Sequence, residues 1–144
     1  MGNSFQIRQL VQAPRAVVYE AWSNLETARK WSCPEGVELP VFEADLRVGG
    51  HYNLTMRVPN GTPDGMSMSA EGTYREIIPN EKIVYTWIWQ TPETEENLVV
   101  VEFKDQGANT EITLSVSGFS DPDEVDSNRG GWTSSLSKLA KRFA

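Results

Sequence analysis

The middle of the chain alternates apolar and polar residues in short runs that are separated by turn signals. Alternation with a period of two is typical of strands that bury one face. Six such runs occupy residues 39–47, 51–58, 66–78, 83–89, 98–104 and 112–117. Gly49-Gly50, Asn60-Gly61 and Asp64-Gly65 are among the turn signals between them. A further run at residues 5–11 makes seven predicted strands, and the short turns favour an antiparallel sheet.

Two short helices are predicted after the first strand. Pro14 suits the first turn of a helix, and the residues that follow form one apolar stripe at helical spacing: Val17, Val18, Ala21, Trp22 and Leu25. A second short helix is predicted from Glu26 to Trp31. It should stop before Cys33-Pro34, because the residue that precedes a proline is pushed out of the α region.

The C-terminal segment predicts one long amphipathic helix. Trp132, Leu136, Leu139 and Phe143 are spaced four, three and four residues apart, which places them on one face. Asp121 is a predicted N-cap, with Pro122 at the first helical position and Glu124 completing a capping box. Gly130-Gly131 interrupts the pattern, and each glycine costs a helix roughly 1 kcal/mol relative to alanine. We therefore expect the helix proper to begin near Arg129, after a shorter turn.

These elements predict a single α+β domain over residues 1–144, with a curved seven-stranded antiparallel sheet around the C-terminal helix. The apolar face of such a sheet must be covered, and the last helix is the one long amphipathic element available. One helix is narrower than the sheet, so we expect a cavity at one end, lined by large inward side chains.

Large and mostly aromatic side chains are the candidates for the cavity wall. Any one of them alone is better explained by core packing, but the excess of Trp and Tyr over Leu and Ile within this set favours a pocket. The predicted ligand-binding residues are Trp22, Trp31, Tyr52, Leu54, Met56, Met68, Tyr74, Tyr85, Trp87, Trp132 and Leu136. Within this set, we expect the pocket on the faces that hold Trp22, Tyr52, Tyr74, Tyr85 and Trp132.

Charge and composition exclude several classes of partner. The formal net charge is −7, from 20 acidic and 13 basic residues, which disfavours nucleic acid and anionic membranes. No apolar run approaches the roughly 18 residues of a membrane helix, and the N-terminus lacks the pattern of a signal peptide. The single cysteine excludes an internal disulfide. We therefore expect a cytoplasmic protein without membrane insertion.

Few residues are candidates for chemistry. One histidine, His51, and one cysteine, Cys33, cannot supply a zinc site, and no phosphate-binding glycine loop occurs, so neither metal nor cofactor is predicted. By strand parity His51 lies opposite Tyr52 and faces solvent, and Cys33 is interpreted as an inert thiol. Gly49-Gly50 is interpreted as a turn or bulge.

The carboxylates on strands offer one weak catalytic candidate. Glu76 shares parity with Tyr74, so it is predicted to point inward, where burial would raise its pKa and suit it to acid–base work. Glu43 and Asp45 share a face that is interpreted as solvated, with Asp45 pairing with Arg47 or Arg75.

The sequence also resembles the domain family named after the activator of Hsp90 ATPase homologue 1, in the START-like superfamily. The resemblance covers nearly the whole chain, in order. It rests on Ala13 to Trp22, Trp31 with Pro34 and Gly36, Asp45 to Tyr52, Gly72 to Ile77, Glu81 to Trp87, and Gly131-Trp132 with Ser135, Leu136, Lys138 and Leu139. Two departures lie near the expected cavity mouth: Ser32-Cys33 replaces the family's tryptophan and glycine, and Asn128 stands where relatives often have histidine.

The resemblance implies the helix-grip fold and a cavity between sheet and helix. Relatives in the superfamily bind lipids, sterols, hormones or polyketide intermediates, and a few catalyse cyclisation or dehydration. The leading hypothesis is therefore the binding of a small hydrophobic molecule. The alternatives are a cyclase- or dehydratase-like enzyme and a chaperone-associated protein, and the sequence leaves open both a homodimer and a chaperone contact.

Overall fold

A computed structural model describes residues 3–32, 37–58, 66–90 and 95–143 of the 144. These residues form seven strands and three helices in the order strand, two helices, six strands, helix. Their bounds are β1 Asn3–Val11, α1 Arg15–Ser23, α2 Leu25–Trp31, β2 Glu38–Ala44, β3 His51–Val58, β4 Met66–Ile78, β5 Lys82–Trp89, β6 Glu96–Gln106, β7 Asn109–Phe119 and α3 Pro122–Lys141. The predicted turn at residues 60–65 and the Cys33-Pro34 segment lie outside the described residues.

The strands form one antiparallel sheet in the order β1-β7-β6-β5-β4-β3-β2. Strands β2 to β7 pair in sequence order, as expected for hairpin connections. Strand β1 pairs with β7 and forms one edge of the sheet. Along β6 the burial alternates, with Val99, Val101 and Phe103 buried and their neighbours more exposed. The face that these side chains occupy, toward the helices, is called the inner face below. The predicted seven-stranded α+β architecture is thus confirmed.

Strand β2 ends at Ala44, three residues before the predicted end, because Asp45 to Gly50 fold into a tight turn. Gly50 donates its N–H to the Arg47 carbonyl (2.8 Å), and Gly49, at φ 85°, donates to the Tyr74 carbonyl (2.8 Å). A side chain at Gly50 would collide with the Asp45 carbonyl oxygen. The two glycines therefore form the turn that was predicted for them, in a conformation that glycine tolerates best.

The two short helices are joined through a shared residue. Asn24 ends α1 and caps α2, its side-chain oxygen accepting the N–H groups of Glu26 (3.0 Å) and Thr27 (3.3 Å). The Trp31 indole at the end of α2 donates to the Ala21 carbonyl (2.9 Å) and is 2% exposed. This bond fixes α2 against α1 beneath the sheet.

Helix α3 runs without interruption from Pro122 to Lys141, so the prediction that it begins properly near Arg129 was wrong. Asp121 is the N-cap as predicted, accepting the Asp123 N–H (2.9 Å). Leu136 and Leu139 are fully buried, and the apolar area that they bury offsets the helical cost of the two glycines. No helix in the described part of the chain combines the length and hydrophobicity that crossing a membrane requires.

Helix α3 lies toward one side of the inner face. It contacts β1 and β7, whereas α2 contacts β2 and the side of α3. Arg129 of α3 sits over the Phe5 ring of β1, 5.7 Å from its centroid, and Phe5 stacks on Phe119 of β7. The inner face of β3 to β5 is therefore covered by side chains rather than by a helix backbone.

Substitution of glycine by alanine should change the stability of the fold in opposite directions at Gly130 and at Gly72. A methyl group at Gly130 meets no atom within 4 Å, so Gly130→Ala should stabilise α3 by about 1 kcal/mol. A methyl group at Gly72 would lie 2.0 Å from the Thr86 carbonyl oxygen and 2.8 Å from the Tyr52 ring. Gly72→Ala should therefore destabilise the fold by about 2 kcal/mol. Denaturant unfolding followed by tryptophan fluorescence measures both, and equal effects would contradict this packing.

Candidate functional site

A cavity of about 550 Å³ lies between residues 124–135 of α3 and the inner face of the sheet. Its walls come from β3 to β7 and α3. The lining residues are Ser32, Met56, Ser67, Met68, Ser69, Trp87, Trp89, Gln90, Glu95, Asn97, Phe119, Glu124, Ser127, Asn128, Gly131, Trp132 and Ser135. The space thus extends from α3 over the strands that the helix does not pack against.

The helix wall is one stripe of α3. The lining positions of the helix are three or four residues apart, which places them on one face. They are Glu124, Ser127, Asn128, Gly131, Trp132 and Ser135. Ser127, Gly131 and Ser135 are small, so α3 passes over the sheet at this point without filling the space beneath it. The volume of the cavity follows from these small residues.

Aromatic rings supply most of the large side chains of the sheet wall. Trp87 and Trp89 of β5 meet edge to face, with ring centroids 5.2 Å apart, and Trp87 meets Trp132 of α3 at the same distance. The Trp89 indole makes a long hydrogen bond to the Asn128 Oδ1 (3.4 Å), and the Asn128 amide donates to the Glu124 carbonyl (2.8 Å). These contacts join Trp89 and Trp132 through Trp87, in arrangements that aromatic pairs prefer, and hold the end of β5 against α3.

The charged residues among the described lining are acidic. Glu95 accepts the Ser120 N–H (2.8 Å) and hydroxyl (2.5 Å), which links the start of β6 to the residue before the α3 cap. Glu124 lies in the first turn of α3, where the helix dipole favours a negative charge. Among the described lining residues none is lysine, arginine or histidine. The site therefore offers no cation to an anionic ligand.

Four of the predicted wall residues line this cavity, namely Met56, Met68, Trp87 and Trp132. Most of the others surround a separate void of only about 50 Å³, which shares Trp87 and Trp132 with the cavity. They are Trp22, Trp31, Tyr52, Leu54, Tyr74 and Tyr85. Leu136 is fully buried in the core and lines neither space. The expectation that Trp22, Tyr52, Tyr74 and Tyr85 frame the main pocket was wrong, because these rings fill the space that they enclose.

The three tyrosines pack into a cluster. The ring centroids of Tyr52, Tyr74 and Tyr85 lie 5.5 to 5.8 Å apart, and Tyr52 donates its hydroxyl to the Thr86 carbonyl. Gly72, opposite Tyr52 on β4, makes room for that ring. Burial raises the pKa of Tyr52 and of Tyr85 well above the usual tyrosine value, and raises that of Tyr74 to about 12. The cluster therefore stays neutral at physiological pH.

Glu76, the weak catalytic candidate, does not point inward. A register shift between Tyr74 and Glu76 in the β4–β5 pairing reverses the parity on which that prediction rested. Glu76 is exposed and pairs with Lys82 of β5 at 3.2 Å on the outer face. His51 is exposed, 3.8 Å from Glu71, and Asp45 pairs with Arg47 at 2.7 Å, as predicted. No group of three described His, Cys, Asp or Glu side chains is placed to hold a metal ion.

Several lining residues were missed by the sequence reasoning. Trp89 shares strand parity with Trp87, so it had a usable signal. Phe119 has the opposite parity to Ile112, Leu114 and Val116, and it turns inward because β7 is irregular at Gly118 (φ 96°), where its register with β1 shifts. Asn97 is polar at a position where β6 alternates inward, and it is 3% exposed. Glu95 lies in an acidic stretch of the sequence, residues 92–96, which carries no apolar signal, yet it lines the cavity.

Comparisons with known proteins agree with this architecture. The model of the family described as Activator of Hsp90 ATPase homolog 1-like protein matches residues 12–144. No curated protein sequence matches the chain.

Solved structures share the fold over nearly the full length. A protein from Chromobacterium violaceum is 25% identical with a TM-score of 0.89, over 98% of this chain and 96% of that one. An AHSA1 protein from Silicibacter pomeroyi is 21% identical with a TM-score of 0.83, over 97% and 96%. A protein from Rhizobium loti is 24% identical with a TM-score of 0.80, over 98% and 96%. The helix-grip fold is thereby established.

The tyrosine cluster predicts a steep loss of stability at alkaline pH. Tyrosine in the unfolded chain ionises near about pH 10. Because the folded pKa values are higher, the stabilisation is complete below that pH and declines as the pH rises toward them. Each buried tyrosine should add about 1.4 kcal/mol per pH unit to that decline. Tyr52→Phe should remove one such increment from the slope of unfolding free energy against pH.

Absorbance at about 295 nm, where tyrosinate absorbs, gives an independent readout of the same cluster. Tyrosinate should appear together with unfolding rather than in a separate titration of the folded protein. Tyr19→Phe is the comparison variant. Tyr19 is only partly buried, so its removal leaves the three tyrosines of the cluster as the source of the tyrosinate signal. A titration of the cluster in the folded protein centred near about pH 10 would contradict its burial.

Proposed function

Since the chain belongs to the family of Activator of Hsp90 ATPase homolog 1-like proteins, we propose that it binds a small, mainly apolar molecule between α3 and the sheet. The observation that carries the proposal is the cavity of about 550 Å³ with its aromatic lining. Cavities of roughly 300–1,000 Å³ with apolar walls and few polar groups are typical of small-molecule sites.

The composition of the walls supports an apolar guest. Three tryptophans, two methionines and Phe119 supply most of the large side chains around the space. Flat indole rings offer extended apolar surface to planar or cyclic molecules. Met56 and Met68 are unbranched and adapt their shape to what they contact. This combination suits a ligand with a rigid apolar body.

The neighbouring tyrosine cluster argues that the cavity is not the result of generally loose packing. Both regions lie on the inner face and share Trp87 and Trp132. In the cluster, the rings leave a void of only about 50 Å³. Protein interiors are normally packed this closely, with few voids larger than a water molecule. An opening about ten times larger beside it favours a space kept for a ligand.

Catalysis is not part of the proposal. Glu76, on which the cyclase or dehydratase alternative depended, faces the outer surface. Glu95, which does line the cavity, accepts two hydrogen bonds from Ser120. Chaperone contact, suggested by the family description, and homodimer formation stay predictions from the sequence.

A matched pair of substitutions in α3 tests the proposal. Gly131 lines the cavity, whereas Gly130 faces open space. Gly131→Phe should place a ring in the cavity and weaken binding of the neutral fluorescent probe N-phenyl-1-naphthylamine by at least about tenfold, or 1.4 kcal/mol. Gly130→Phe should leave the affinity unchanged. Fluorescence titration of the wild type and both variants measures the effect.

The pair also controls for changes in the helix itself, because both variants replace a glycine by the same residue in adjacent positions. Circular dichroism should show that both are folded. Absence of saturable binding to the wild type, or equal affinity in all three proteins, would contradict the proposed site.

A further inference from the structure

Two buried nitrogen atoms in the cavity wall lack hydrogen-bond partners among the described residues. They are the indole Nε1 of Trp87 and the amide Nδ2 of Asn97. Trp87 is 6% exposed and Asn97 is 3% exposed, and both line the cavity. Buried polar groups are nearly always satisfied in folded proteins, and leaving one unsatisfied is costly. Two unsatisfied donors in residues that line one cavity point to a ligand that accepts hydrogen bonds from them.

The two donors are neighbours across strands. Trp87 of β5 and Asn97 of β6 are directly paired in the antiparallel register. Side chains of such a pair stand about 5 Å apart at their Cβ atoms. The Trp87 indole nitrogen can only donate a hydrogen bond, and the unsatisfied Asn97 atom, Nδ2, is also a donor. The pair therefore calls for an acceptor, and one carbonyl oxygen has two lone pairs to offer.

The charges around the cavity decide what kind of acceptor fits. Glu95 and Glu124 line it, and no described lining residue is cationic. The chain as a whole carries a net charge of −7. A carboxylate or phosphate bound here would be desolvated without a cation to compensate it, which is strongly unfavourable. The acceptor must therefore belong to a neutral group.

Building on the proposed function, we propose that the ligand is a neutral molecule with a rigid apolar body and a carbonyl oxygen held by Trp87 and Asn97. Cyclic or aromatic ketones, quinones and esters have this chemistry. The apolar body lies against Trp89, Trp132 and Met56. The oxygen accepts from the two donors once their side chains turn toward the cavity, because both nitrogen atoms lie beneath its surface. Fatty acids and other carboxylates are rejected by the acidic lining.

Three probes of similar shape test this assignment. 2-Acetylnaphthalene carries a neutral carbonyl, 2-ethylnaphthalene has no acceptor, and 2-naphthoate carries a charged one. Isothermal titration calorimetry at about pH 7 should show the ketone binding about tenfold more tightly than the hydrocarbon, the effect of one well-made hydrogen bond. The carboxylate should bind more weakly than either.

Substitution of the donor identifies its role. Asn97→Leu replaces the amide with an apolar side chain of similar size, so the preference for ketone over hydrocarbon should fall to about twofold or less while the hydrocarbon still binds. Thr113→Leu, at a half-buried position between the inner-face residues Ile112 and Leu114, is the control and should leave the preference unchanged. If Asn97→Leu does not fold, Trp87→Phe removes the other donor with the same expected result.

The outcomes separate this inference from the proposed function. Equal affinity for ketone and hydrocarbon, or tightest binding of the carboxylate, would overturn the assignment while the binding cavity stands. A preference that persists in Asn97→Leu and in Trp87→Phe would also overturn it. No binding of any probe to the wild type would reject the proposed function and the ligand class together.

Discussion

The structure depends on one geometric constraint, which is that a single long helix must cover the inner face of a seven-stranded sheet. Strands lie about 4.8 Å apart, so seven of them span about 29 Å, whereas a helix with its side chains is about 10–12 Å wide. Curvature brings the sheet edges closer, but α3 still packs mainly on β1 and β7. Side chains must fill the rest, or the space stays open.

The chain uses both solutions on the same face. Over the part of the sheet toward α1 and α2, large aromatic rings fill the space and leave a void of only about 50 Å³. Gly72 has no side chain, which makes room for the Tyr52 ring. Along residues 124–135, α3 presents the small residues Ser127, Gly131 and Ser135 to the sheet, and a cavity of about 550 Å³ results. Trp87 and Trp132 stand between the two regions. The difference lies in the size of the facing side chains and not in the backbone.

Much of the fold was readable from the sequence, because period and parity are direct consequences of backbone geometry. The seven strands, the two short helices and the buried face of Leu136 and Leu139 followed from it. Local events contradicted two of the predictions. The bulge after Tyr74 turned Glu76 outward, and tertiary packing kept α3 helical through Gly130-Gly131 despite their propensity.

The site was harder to predict than the fold for a physical reason. The predicted wall residues were chosen because they are large and point inward. Large residues such as Tyr74 and Tyr85, however, tend to fill the space that they face. A cavity is determined by what is small opposite them, and serines and a glycine on a helix carry no apolar signal. Whether a set of rings leaves a void or closes it depends on the distances between elements, which parity does not contain.

Three local costs meet in the wall of this cavity. Gly131 weakens the helix by roughly 1 kcal/mol relative to alanine. Trp87 and Asn97 bury donors without partners among the described residues, each at a cost of about 1–3 kcal/mol. Stability alone would favour an alanine at position 131 and an apolar side chain at position 97. Departures from local rules concentrate where function requires them, and a ligand that accepts hydrogen bonds and occupies the space over Gly131 would account for all three. Gly130 has no such explanation, because it faces open space.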